Sequence, residues 1–137
     1  MPNGTPPEEW GDLELPLLAI DPVLVEFAEA HRLELVRNYH SSPNRMLSRH
    51  ETDGVVIQLS ISPVVIPRPT ITYGVFIMAW RDTQDGRYSA AREFARFSNL
   101  PKDKSDCLEL LESAWTAATQ LRNERWNYHY FPDARHR

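Results

Sequence analysis

Between Val55 and Ser62 the chain alternates without a break, with Val55, Ile57, Leu59 and Ile61 on one side and Val56, Gln58, Ser60 and Ser62 on the other. A period of two belongs to an extended strand, and an apolar side set against a mostly polar one means a sheet with one buried face. Such a strand needs neighbours for its backbone and a second layer over its apolar side, so the rest of the chain must supply both.

Partners stand on either side. Leu33, Leu35, Arg37 and Tyr39 alternate with Glu34, Val36 and Asn38, which predicts a strand running into the turn Ser41-Ser42-Pro43-Asn44. Residues Arg45 to His50 predict a second strand, closed by the turn Thr52-Asp53-Gly54. A last long strand, Thr70 to Trp80, is rich in β-branched and aromatic residues and follows the link Pro63 to Pro69. Four strands joined in sequence by turns predict an antiparallel meander.

The covering layer is read from helical spacing. Asp21 as N-cap and Pro22 at the first helical position open a helix through Val23, Leu24, Phe27, Ala28 and His31, ending near Arg32. Ser105 reads as the N-cap of a long helix whose stripe is Leu108, Leu111, Ala114, Trp115, Ala118 and Leu121. Between them Tyr88, Ala91, Phe94, Ala95 and Ser98 fit a helical face, while Tyr88, Ala90, Arg92 and Phe94 fit a fifth strand. The helical reading is preferred. The class is therefore α+β, a four-stranded antiparallel meander flanked by an N-terminal helix and one or two C-terminal helices. Residues 1–16, with four of the eleven prolines, read as a flexible acidic leader, 17–125 as one domain and 126–137 as an aromatic and basic tail.

At 137 residues and 42% hydrophobic content the chain can bury a core without metal or disulfide staples, and the single Cys107 has no intramolecular partner. No apolar run approaches the ~18–20 residues of a membrane span, and no basic segment precedes an apolar one at the N-terminus, so a cytoplasmic protein without a membrane partner is expected. Charge is divided unevenly. Residues 1–30 hold seven acids and no Lys or Arg, whereas the remainder is net positive by three. The acidic head either screens a basic surface, engages a basic partner, or is a solvated tail followed by an acidic helix face.

Chemistry-bearing residues concentrate in Tyr39 to Glu51, with His40, His50, Arg45 and Arg49. With a turn at 41–44, His40 pairs with Arg45 and His50 lies roughly 17 Å further along, too far to share a metal. Arg45 and Arg49, four apart on one strand, share a face with Arg37 of the neighbour and form a basic ladder for phosphate or carboxylate, or else pair with local acids such as Glu34 and Glu51. No nucleophile elbow or glycine-rich phosphate loop is present, and no cofactor is implied. Cys107, near a helix start, reads as core filler with activation as the alternative. The apolar, proline-framed Val64, Val65 and Ile66 read as a partner-binding tip, as a loop folded over the sheet edge, or as a strand continuing past a bulge at Pro63. The aromatic run Trp126 to Phe131 suggests a short docking strand, and a sequence pI of 5.7 argues against general nucleic-acid binding.

The run Tyr39-His40-x-x-Pro43-x-Arg45-x-Leu47, followed by Val56-Ile57-Gln58-Leu59 and by Gly86-Arg87-Tyr88 with Arg92-Glu93-Phe94, resembles a family of short bacterial proteins of uncharacterised function over about residues 39–97. The resemblance implies a bacterial, cytoplasmic setting and transfers no catalytic or binding residue. The resulting expectation is a non-enzymatic module that binds another protein, or itself as a homodimer, in the manner of an immunity protein, an antitoxin or a secretion chaperone. Its surface would be a sheet face or edge. The alternative is a small enzyme acting on a phosphate-bearing substrate, with Arg45 and Arg49 as anion clamps and His40 or His50 as acid or base.

Overall fold

In the computed structural model, which describes residues 10–65 and 71–130, six strands form one antiparallel sheet in chain order. They are β1 (Glu34–Arg37), β2 (Arg45–His50), β3 (Val56–Val64), β4 (Thr72–Asp82), β5 (Gly86–Phe97) and β6 (Asn127–Tyr130). Two helices, α1 (Trp10–His31) and α2 (Lys104–Gln120), pack on one face. The class is α+β as expected, with two more strands than the four read from the sequence.

Register explains which residues meet the helices. Leu59 lies between Leu47 and Ile77, and Ile61 between Arg45 and Val75, so the apolar side of β3 sits in transverse rows beneath α1 and α2. The β2–β3 turn needs its glycine, because Gly54 has φ 87° while its amide bonds to Glu51. β3 also runs through Pro63 to Val64. Its pairing with β2 ends at Ile61, so the ring that cannot donate a ladder bond stands where that side has no partner.

Two helix starts differ from the sequence reading. α1 begins at Trp10, and Asp21 and Pro22 lie inside it rather than at its cap. Leu17, Ile20, Leu24, Phe27 and Ala28 are all buried at helical spacing, and burying this continuous stripe outweighs the amide bond lost at Pro22. Residues 10–16 are thus helical, while 1–9 lie outside the described residues. α2 is capped by Asp103, whose carboxylate accepts the Asp106 amide at 3.1 Å, not by Ser105. Its buried face, Cys107, Leu111, Ala114, Trp115 and Ala118, follows the predicted stripe.

The largest correction is to residues 86–98, of which Gly86–Phe97 form β5 instead of a helix. β5 pairs with the eleven-residue β4 along its length, and a bulge sets Val75 opposite Ala95 but Phe76 opposite Glu93. Phe94 is the extra residue, and it shifts the period-two phase so that apolar positions on either side mimic helical spacing. β6 then adds against Gly86–Ser89, where a side chain on Gly86 would strike the Tyr128 ring and the His129 carbonyl. Residues 131–137 of the expected tail lie outside the described residues. Among the described residues no helix is long and apolar enough to cross a membrane.

Candidate functional site

The stripe that carries α1 through Pro22 contains one charge. Asp21 falls between Leu17 and Leu24 on the buried face and is itself buried, so it needs a counter-ion inside the protein. Arg45 supplies it. As the first residue of β2, in phase with Leu47, its side chain points at α1 and is 1% exposed. Nε donates to Asp21 Oδ1 at 2.7 Å and Nη2 to Oδ2 at 3.0 Å, a bidentate pair. Nη1 donates to Asn38 Oδ1 at 3.1 Å and to the Asn44 carbonyl at 2.8 Å, and Nη2 reaches Glu14 Oε1 at 3.4 Å.

These bonds organise the loop as well as the charge. Asn38 is left-handed (φ 56°) and donates its amide to Glu14 at 2.9 Å, while Asn44 Oδ1 accepts the Tyr39 amide at 2.8 Å. The chain therefore leaves β1 at Arg37, which pairs with Arg45, and Tyr39–Ser41 turn as a 3-10 helix. The expected pairing of His40 with Arg45 is replaced by that of Arg37. Asparagine's tolerance of the left-handed region, together with the buried guanidinium, ends the strand two residues early.

The basic ladder exists as geometry but not as a free anion site. Arg37 stands 3.7 Å from Asp21, and Arg49 bonds both oxygens of Glu51 at 3.2 and 3.1 Å while lying 5.3 Å from the centre of the Trp115 ring. All three arginines face the helices, whereas His40 and His50 line the opposite face of the sheet. The clamp and the acid or base of the enzymatic reading are therefore separated by the sheet itself. Three acids of the head are occupied within the chain, Glu14 and Asp21 by Arg45 and Glu26 by Lys104 at 2.9 Å. Burial pushes the Cys107 thiol up, away from activation. Val64 ends β3, Val65 follows it half-buried, and Ile66 lies outside the described residues. Among the described residues no cluster of His, Cys, Asp and Glu is arranged to hold a metal ion.

The sequence reading expects a sheet face or edge, and what it does not identify is the set of residues on the face turned away from the helices. β4 is apolar on both sides, with Tyr73, Val75, Ile77 and Ala79 buried inward and Phe76, Met78 and Trp80 directed outward. A strand apolar on both sides is the pattern of one covered on both sides, yet none of the described elements lies over the outer one. The signal is the β-branched and aromatic density from Thr72 to Trp80, which predicts a strand without showing that both its sides are apolar for a reason.

The outward residues make relief. Phe76, Met78 and Trp80 form a ridge along β4, with a hollow of about 590 Å³ over β1–β3 and a smaller one of about 240 Å³ towards β5. The floor of the larger hollow is small or polar, Ser48, Gln58, Ser60 and Ser62, and its far side carries Val36, Met46 and the Tyr39–His40 pair. Trp80 is held by the Arg87 guanidinium 4.0 Å above its ring, and Asp82 fixes that guanidinium at 2.6 and 3.2 Å. The two methionines give this surface adaptable, polarisable contact area.

The edges are blunted by comparison. β1 and β6 have four residues each, and where β5 outruns β6 it carries the bulge with Arg92, Glu93 and Arg96. Arg92 Nη1 reaches both carboxylate oxygens of Glu124, at 2.6 and 2.7 Å, and Arg96 bonds Glu93 at 2.5 Å. Comparison with protein-family models, with curated proteins and with solved structures found no match.

Proposed function

We propose that this chain is a non-enzymatic protein-binding module, working in a bacterial cytoplasm in the manner of an immunity protein, antitoxin or secretion chaperone, and that it binds through the open face of its sheet. The observation that carries the reading is the outward ridge Phe76-Met78-Trp80 beside a hollow of about 590 Å³. Half-buried apolar side chains gathered on a face that none of the described elements covers mark an interaction surface. The face is preferred to the edges, which are short, bulged or charged. The phosphate-directed enzyme is disfavoured, because Arg45 already spends its donors on acids and carbonyls of the chain and the histidines lie across the sheet.

Affinity capture from a bacterial lysate tests it, with the wild-type chain, Met78→Glu on the open face and Glu109→Lys on the exposed side of α2. Retention of a protein by wild type and Glu109→Lys, and its loss from Met78→Glu, is the expected result. Equal retention by all three removes the open face from the argument.

A further inference from the structure

α1 is apolar on its outer side as well as on its inner one. Leu15 is 59% exposed, Leu18 49% and Val25 37%, with Pro22 exposed between them. At about 100° per residue Leu15 lies half a turn from Leu24, the centre of the buried stripe, so this is a second stripe and not the margin of the first. Its spacing of three, four and three residues is the a-d-a-d order by which one helix seats another. Pro22 adds a polar feature to the same side. Its nitrogen carries no hydrogen, so the Leu18 carbonyl lacks the amide that a helix would set against it.

We infer that this outer face of α1 seats a basic amphipathic helix of another protein, at a surface separate from the open face of the sheet. Charge selects that occupant. From Trp10 to His31 the helix holds Asp12, Glu14, Asp21, Glu26 and Glu29 and no Lys or Arg. Glu14, Asp21 and Glu26 are paired within the chain, whereas Asp12 and Glu29, exposed towards the two ends of the stripe, make no ion pair among the described residues. A helix with Lys or Arg flanking an apolar seam answers both acids and can donate to the Leu18 carbonyl. A second copy does not. Antiparallel pairing about a point between Leu18 and Pro22 sets Asp12 of each copy near Glu29 of the other, and parallel pairing sets each acid near its own counterpart. A lipid surface is disfavoured on the same ground, since helices that lie in a membrane interface carry Lys and Arg beside their apolar face.

Fluorescence anisotropy with the purified full chain tests the inference. The probe is a labelled synthetic helix of three heptads, with Leu at a and d, Lys at e and g and Ala elsewhere. A Kd of about 50 µM or below is expected for wild type, with binding at least about tenfold weaker for the same helix carrying Glu in place of Lys, and for the Lys helix on Leu18→Lys or Val25→Lys. Met78→Glu on the open face should bind as wild type does, and circular dichroism establishes that each variant is folded. Because Leu18 and Val25 stand about two turns apart, one misfolded variant leaves the other to decide. No binding to the folded wild type overturns the inference, as does equal affinity for the two helices or indifference to both Lys substitutions. Loss in Met78→Glu alone places the probe on the open face and also overturns it. So does a wild-type dimer in sedimentation equilibrium that Leu18→Lys dissociates, or cosedimentation of wild type with phosphatidylcholine vesicles that Leu18→Lys abolishes, since the occupant is then a second copy or a lipid surface.

Discussion

Replacing Arg45 with methionine should be among the most damaging single substitutions in this chain. The change removes five donors and leaves the buried Asp21 carboxylate without its bidentate partner, since Arg37 stands 3.7 Å away and is half exposed. Breaking a buried pair from one side costs about 3–5 kcal/mol, because the remaining charge keeps its desolvation penalty. For 137 residues the entropy of unfolding is about 0.29 kcal/mol/K, so Tm should fall by about 10–17 °C. The double variant Arg45→Met/Asp21→Leu removes both charges and should recover at least about 2 kcal/mol of that loss. Urea unfolding followed by circular dichroism and tryptophan fluorescence gives both numbers, provided the m-value is unchanged. A loss under about 1 kcal/mol for Arg45→Met, or no recovery in the double variant, would refute the reasoning. It would also return Arg45 to the list of groups free to hold an anion.

Other consequences are equally direct. Arg32 ends α1 at φ 58°, with its amide on Glu29 and that of Leu33 on Ala28, the two bonds of a Schellman cap. Arg32→Gly should therefore stabilise the protein by about 0.5–1 kcal/mol in chemical denaturation, and any destabilisation would contradict the left-handed assignment. Gly86→Val should detach β6, seen as rapid hydrogen exchange of Asn127–Tyr130 while β3 and β4 stay protected; retained protection would mean that the close approach of Tyr128 and His129 is not required. Burial raises the pKa values of Cys107 and Tyr73, and burial followed by the Asp85 carboxylate raises that of Tyr128. Their protonated forms are favoured in the folded state, so their contribution is intact below the unfolded values and lost as pH rises through the folded ones. Stability should thus decline above about pH 9, and Cys107 should resist thiol reagents until urea unfolds the chain; a rapidly labelled native thiol would show the burial to be wrong. Asp53 moves the other way, lowered first by its hydrogen bond from Arg122, so that ion pair helps above about pH 4 and is lost on acidification, which Asp53→Asn should mimic in its acid unfolding profile.

Some of this architecture was written locally. The alternation of Val55–Ser62 can only be a half-buried strand, Gly54 can occupy its left-handed turn where a side chain would be strained, and the stripe of α2 from Leu108 to Leu121 has one possible inner face. In each case the deciding energy, burial of a periodic apolar side or a backbone angle, involves residues a few positions apart.

The candidate face was only half legible. Phe76, Met78 and Trp80 were visible as strand residues, but that none of the described elements covers them follows from where both helices go, and both go to the other side. The sides taken by Arg45 and His50 depended on register, and one residue of slip exchanges every side chain between faces.

By itself, then, the sequence determined an α+β chain built on a meander with one apolar layer, because period and turn chemistry act over short range. Tertiary structure alone decided that Ala90-Ala91-Arg92-Glu93-Phe94 is a strand, since the ladder to β4 overrides the helical preference of those residues. It alone decided that Asp21 is a buried counter-ion and not a cap. A carboxylate at helical spacing serves equally well in either role until a guanidinium 24 residues away is folded against it.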